Sequence, residues 1–263
     1  MEYKGIVFFD YDGTLTDENE KIFTPTEKTK KSIDALNENG YLTVLATGRA
    51  LCYVPESGLD FGGYVTSNGA YAEIKGKEIF QSYIPKDELE ALIRTFDEAD
   101  ICYSLENQLK CYAKGLKEPL FRNMLEHFKL PVKAFEGLDK NNIPKASKIN
   151  TVYRNIEQHY ELKKKFEGKY KFDLHREYLS SDVQPVGVNK SVGARAITEY
   201  LKMPRENIYT FGDGTNDYDI FCFAGHAIAM EKHNVILDGV CEYVTSSVKK
   251  EGIFNGLKEY GLI

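Results

Sequence analysis

Apolar residues in this chain come in short continuous runs that stop abruptly at polar and glycine residues. Ile6–Phe9 ends at Asp10-Tyr11-Asp12-Gly13-Thr14, Leu42–Ala46 at Thr47-Gly48-Arg49, and Tyr64–Thr66 at Ser67-Asn68-Gly69. Short runs without alternation predict strands buried on both faces, as in a parallel sheet. After the first run, Thr24-Pro25-Thr26-Glu27 carries a capping-box pattern with proline at the first helical position. Ile33 and Leu36 add an apolar face and Gly40 a stop, so a helix is predicted there. The alternation returns toward the C-terminus, with a helix at Ser191–Leu201 and a strand at Asn207–Phe211 ending in Gly212-Asp213-Gly214. A short helix near Asn216, strands at His226–Met230 and Tyr243–Thr245, and a closing helix at Ile253–Tyr260 follow. This order predicts an α/β, Rossmann-like doubly wound parallel sheet, in which ligands bind beyond the carboxyl ends of the strands. The polar clusters are therefore expected along one edge.

The stretch from Ile84 to Pro185 has another character. It is rich in Tyr, Lys and Glu, its strands are short, and amphipathic patterns predict helices at Asp87–Glu98, Glu118–Phe128 and Gln158–Phe166. The simplest reading is an inserted α+β domain at 84–185, with 1–83 and 186–263 forming a discontinuous core. Continuation of one sheet through this region is the other reading of the same pattern.

Composition narrows the function. Of 263 residues, Lys and Arg total 34 against 40 Asp and Glu, a formal net charge of -6. A nucleic-acid-binding surface, which needs clustered positive charge, is not expected. The five cysteines are dispersed and form no Cys-x-x-Cys pair, so neither a disulfide framework nor a zinc site is expected and a reducing compartment fits. No stretch approaches the roughly 20 apolar residues of a membrane span, and MEYKGIVFFDYDGT lacks the apolar core of a signal peptide. A cytoplasmic location without membrane association is the expectation.

Four clusters carry candidate chemistry. A carboxylate such as Asp10 attacks phosphorus when it is held in line and the phosphate charge is neutralised, a task suited to magnesium. Asp12, two residues on as the chain begins to turn, can protonate a leaving alkoxide and later deprotonate water. Gly13 lets the chain turn sharply. Asp213, with Asp10 and the main-chain carbonyl of Asp12, meets magnesium's preference for oxygen ligands, while Asn216 and Asp217 can orient ligands or phosphate from behind. Thr47 and Gly48 offer a hydroxyl and an N–H to phosphate, and the Lys190 ammonium can neutralise it. Each cluster alone also fits a plain turn, a helix cap or a solvated lysine.

Taken in order, Asp-x-Asp-Gly-Thr, Thr-Gly-Arg, an isolated Lys and Gly-Asp-Gly-x-Asn-Asp resemble the haloacid dehalogenase superfamily. The long insertion after Ser67-Asn68-Gly69-Ala70 resembles the Cof-type subfamily with a type IIB cap. The resemblance implies a magnesium-dependent phosphatase with Asp10 as nucleophile and Asp12 as acid/base. It implies Asp10, Asp12 and Asp213 as metal ligands, and phosphate held by Tyr11 (main chain), Thr47, Gly48, Lys190 and Asn216. The sequence departs from the family at Glu231-Lys232, where Gly-Asn is usual, and at Ser191, where glycine is common. Tyr153, Arg122, Lys148, His175 and Arg176 are candidates for contacting the leaving group. The expected partner is a small phosphorylated metabolite, most simply a sugar phosphate, and the expected state a monomer or weak homodimer. A phosphohexomutase-like phosphotransferase and a non-catalytic sugar-phosphate-binding module are the alternatives.

Overall fold

The computed structural model describes residues 3–175 and 178–263. In chain order the elements are β1 (Ile6–Phe9), α1 (Glu27–Glu38), β2 (Leu42–Ala46), β3 (Gly63–Thr66), β4 (Tyr71–Ile74), β5 (Lys77–Gln81), α2 (Lys86–Glu98), β6 (Cys102–Glu106), β7 (Cys111–Lys114), α3 (Pro119–His127), β8 (Phe135–Gly137) and β9 (Lys148–Val152). There follow α4 (Ile156–Lys165), β10 (Tyr170–His175), β11 (Ser180–Pro185), α5 (Lys190–Leu201), β12 (Ile208–Gly212), α6 (Tyr218–Phe223), β13 (His226–Ala229), β14 (Tyr243–Val244) and α7 (Gly252–Glu259). The chain forms two compact units. The first comprises the chain up to Gly48, Pro55–Phe80 and Asn189–Ile263, and the second Arg49–Val54 and Gln81–Val188.

In the first unit an eight-stranded sheet runs β14-β13-β12-β1-β2-β3-β4-β5. Strand β1 pairs in parallel with both β2 and β12, so Phe9 lies opposite Leu45 on one side and Phe211 on the other. Helices cover both faces, which is why β1 is apolar throughout. Ile6 and Phe8 pack with Ala194 and Ile197 of α5 and with Ile220 and Phe221 of α6. On the opposite face Phe9 stacks on Phe211 at 5.3 Å between ring centroids. Gly256 of α7 rests directly on Phe211, where a Cβ would come within 2.5 Å of the ring. Strand order reverses at β1, with β2 to β5 on one side and β12 to β14 on the other, and the crevice of a doubly wound sheet opens at such a point.

Two local expectations change. Helix α1 is capped by Thr26, not Thr24: its hydroxyl accepts the Thr29 N–H at 3.1 Å and donates to Glu251 at 2.6 Å. Beyond β3 the sheet continues through antiparallel β4 and the edge strand β5. These strands are half polar, so they leave no apolar run to read. Among the described residues no helix is long and apolar enough to cross a membrane.

The second unit has a six-stranded, mainly antiparallel sheet in the order β10-β11-β9-β6-β7-β8. Leu105, Ile149, Phe172 and Val183 form a core with Leu92 and Phe96 of α2 and Leu162 of α4. A smaller core joins Phe121, Met124 and Leu125 of α3 to Ala50 and Tyr53. The Arg49–Val54 segment is held there by Tyr53, whose ring stacks on Phe135 at 6.0 Å and whose hydroxyl donates to Glu106 at 2.6 Å. Lys148 is buried, donates to Asp182 at 2.9 Å and stands 3.3 Å from Glu106, closing an ion cluster within this unit. Tyr153 is fully buried and accepts the Thr151 hydroxyl at 2.7 Å. Neither is a solvated side chain reaching outward. Arg122 is exposed on α3, His175 lies 3.2 Å from the Ser180 hydroxyl, and Arg176 lies outside the described residues.

Candidate active site

All of the core motifs meet within the first unit, at the carboxyl ends of β1, β2, β3 and β12. Asp10 leaves β1 with its N–H still bonded to the Phe211 carbonyl at 3.0 Å. The chain then curls around the Tyr11 carbonyl, which accepts the N–H groups of Leu15 at 2.9 Å and Thr16 at 3.1 Å. This tight loop leaves Asp12 exposed and brings Thr14 back, so that its hydroxyl donates to Asp213 at 2.7 Å. Gly13 sits at the closest approach, with φ +89° and with Asp213 only 2.1 Å from where a Cβ would stand. We expect Gly13→Ala to cost about 1–3 kcal/mol through combined strain and overlap, read as a lowered urea midpoint. An unchanged midpoint would show that the Asp213 carboxylate is free to move aside.

Lys190 is the hinge of the arrangement. Asn189 caps α5 by accepting the Ser191 N–H at 3.0 Å, which places Lys190 at the first helical position. The turn at Gly69 closes on the same point, since a Cβ there would lie 1.9 Å from the Asn189 carbonyl oxygen. Lys190 is fully buried and donates to Asp10 and to Asp217, each at 2.6 Å. The second oxygen of Asp217 accepts the N–H groups of Asp213 at 3.0 Å and Gly214 at 2.9 Å. Asp217 thus fastens the lysine and the β12 turn together. Thr47 is buried at the end of β2, and its carbonyl accepts the Asn68 N–H at 3.1 Å. The Asn68 side chain lies against Gly48 and accepts from Asn216 at 3.1 Å.

Charge in the cluster is unbalanced. Carboxylate oxygens of Asp10, Asp213 and Asp217 can lie within 4.8 Å of one another. Burial pushes Asp10 well above the ordinary carboxylate range, with Lys190 opposing and Asp217 and Asp213 reinforcing. Burial, then Asp217, pushes Asp213 up to about 7 against the Thr14 hydroxyl and Lys190. Burial alone would lower the Lys190 pKa, but Asp10 and Asp217 reverse that and raise it. A hard divalent cation fits such an excess of oxygen-borne negative charge. Asp10 and Asp213 are placed to take one, whereas both oxygens of Asp217 are already used in holding the framework.

The unusual loop at Glu231-Lys232 is tied down inside the same unit. Glu231 accepts the Ser247 N–H at 3.0 Å and pairs with Lys250, while Lys232 pairs with Glu20 at 3.0 Å. Sequence reasoning assigned no role to Thr14 or to Asn68, although both stand inside motifs it singled out.

Clustered acids and a buried lysine at the switch point place this chain among the α/β enzymes whose charged site lies at the strand ends. The family is equally definite: residues 7–257 match the haloacid dehalogenase-like hydrolases, and the chain belongs to that family, in its Cof type. A Streptococcus pyogenes protein whose provisional name pairs a phosphatase with a peptidyl-prolyl cis-trans isomerase is 28% identical, covering 100% of this chain. This chain spans only 56% of that protein's length. The Bacillus subtilis 5-amino-6-(5-phospho-D-ribitylamino)uracil phosphatase YitU is 24% identical, with 97% of each chain covered. The structure of the haloacid dehalogenase subclass IIB sugar phosphatase BT4131 superposes with a TM-score of 0.83 at 21% identity, covering 98% of this chain and 100% of that one, and it speaks for the fold.

Proposed function

We propose that the chain is a magnesium-dependent phosphatase that hydrolyses small phosphomonoesters through an aspartyl-phosphate on Asp10. The observation that carries this reading is the clamp on that residue: buried Lys190 holds one oxygen of Asp10 at 2.6 Å, with Asp213 close enough to share a ligand with it. Asp10, Asp213 and the Asp12 main-chain carbonyl would hold magnesium, which would supply the positive charge that the acids and the substrate phosphate call for. Asp10 attacks phosphorus and the bond to the leaving oxygen breaks. Asp12, exposed beside the crevice, gives its proton to the departing alkoxide and then takes one from the water that cleaves the acyl phosphate. Lys190, Thr47, Gly48, Asn216 and the Tyr11 main chain cradle the phosphate, and Asp217 keeps Lys190 in place.

The substrate class is a phosphate carried on a sugar or sugar-alcohol chain. Support comes from a similar protein named for a phosphoribityl compound. A panel of sugar, sugar-alcohol and nucleoside monophosphates, assayed for free phosphate with magnesium and after chelation, tests both parts. Chelation is expected to lower turnover by about a hundredfold or more, with magnesium restoring it. Release of no phosphate from any member of the panel would overturn the proposal.

A further inference from the structure

Two of the dispersed cysteines meet in the second unit. Cys52, on the Arg49–Val54 segment, and Cys111, at the start of β7, face each other with their sulfurs 3.6 Å apart. A disulfide bond is about 2.05 Å long, so closure asks for an approach of about 1.5 Å, the scale of a rotamer adjustment. Both side chains belong to the small apolar core built around Phe121 and Phe135, with Cys111 fully buried and Cys52 partly exposed. Cys102, the other thiol of that core, is placed elsewhere. It stands four residues along β6 from Glu106, the partner of Cys111 in the sheet, which is about 13 Å away, and it lies against Gly115.

We propose that Cys52 and Cys111 form a reversible disulfide that clasps the Arg49–Val54 segment to β7. The segment leaves the Thr47-Gly48 turn directly, so the bond anchors the chain four residues beyond Gly48. Its other fastening is Tyr53, through the Phe135 ring and Glu106. With hydrogen peroxide as oxidant the chemistry has two steps. The partly exposed Cys52 sulfur attacks the peroxide, giving a sulfenic acid and one water. The Cys111 sulfur then displaces the hydroxyl group, and its thiol proton leaves with that group as a second water. The hydrogen bond with Cys52, which a protonated Cys111 can donate, and after it burial, push the Cys111 thiol up; with the partial exposure of Cys52 this assigns the first attack to Cys52.

The test uses the full chain treated with a modest excess of hydrogen peroxide, alkylated, and digested with trypsin without reduction. Cleavage after Arg49, Lys75, Lys110 and Lys114 isolates Cys52 in peptide 50–75 and Cys111 in peptide 111–114, separate from Cys102. The expected result is a linked pair of these peptides that dithiothreitol releases and that Cys52→Ser does not form. A rise of about 5 °C in melting temperature on oxidation, reversed by dithiothreitol, is expected alongside. The exposed Cys222 serves as the internal reference. Complete oxidation of Cys222 with peptides 50–75 and 111–114 still unlinked, or Cys52 carried to sulfinic acid beside an intact Cys111 thiol, would overturn the proposal.

Discussion

Replacing Asp10 with asparagine is expected to lower phosphate release by about a thousandfold or more while leaving the fold intact. Asparagine keeps the shape and an oxygen for Lys190 but has no charge with which to attack phosphorus. Lys190 remains paired with Asp217 at 2.6 Å, so the centre does not lose its counter-ion. Stability moves the other way. The Asp10 pKa is raised in the folded state, chiefly by burial, so the folded protein binds a proton that the unfolded chain has released. That group's contribution therefore falls as pH rises from the ordinary carboxylate range, near 4, toward its folded value. Asparagine removes the loss, and in magnesium-free buffer the variant melts no lower than wild type at pH 8. Phosphate release and thermal melts on the same samples check both halves. Residual turnover above about one hundredth of wild type would sink the nucleophile assignment.

The second large effect is on stability. Lys190→Met leaves Asp10 and Asp217 buried without their shared cation, and removing one partner from a buried charge pair costs about 3–5 kcal/mol. Because the folded lysine pKa lies above its ordinary value, the wild-type contribution is complete below that value and is lost only in strong alkali. The deficit of the variant therefore belongs chiefly to Asp10, whose pKa burial already raises, and protonating it relieves the deficit. Urea unfolding in the absence of magnesium should show a larger loss at pH 8 than at pH 5.5. Equal losses at both would point to lost packing of the lysine stem. Phosphate turnover falls with the nucleophile variant, since the same ammonium meets the phosphate.

The positions of the chemistry were legible because largely apolar runs such as Ile6–Phe9 and Leu42–Ala46 end where the chain meets water and polar residues begin. A sheet buried on both faces leaves that mark in one dimension. Lys190 was identified by motif order, but nothing local distinguishes a lysine that is fully buried between two acids from a solvated one. Asp217 was expected to orient ligands or phosphate from behind, but what it would hold was not legible. Its grip on Lys190 and on the Asp213–Gly214 turn depends on contacts far apart in the chain. The capping residue of α1 slipped from Thr24 to Thr26 because both threonines fit the local pattern and only Glu251, 225 residues away, selects between them. Lys148 was a candidate for contacting the leaving group, and nothing local showed that Glu106 and Asp182 on neighbouring strands pair with it in a buried cluster.

The central pairing of β1 with β12 has a consequence for how the molecule is made. Asp10 and Lys190 are separated by 180 residues, and Phe9 meets Phe211 across adjacent strands. On the ribosome, β1 emerges well before β12 and can pair only with β2 until β12 has been translated. Residues 81–188 are complete well before that moment and can settle into their own sheet first. Until β12 arrives, the fully apolar β1 keeps one edge unpaired, a surface suited to capture by a chaperone. Lys190 thus reaches Asp217 only after β12 has been translated, and the cluster around Asp10 cannot assemble before then.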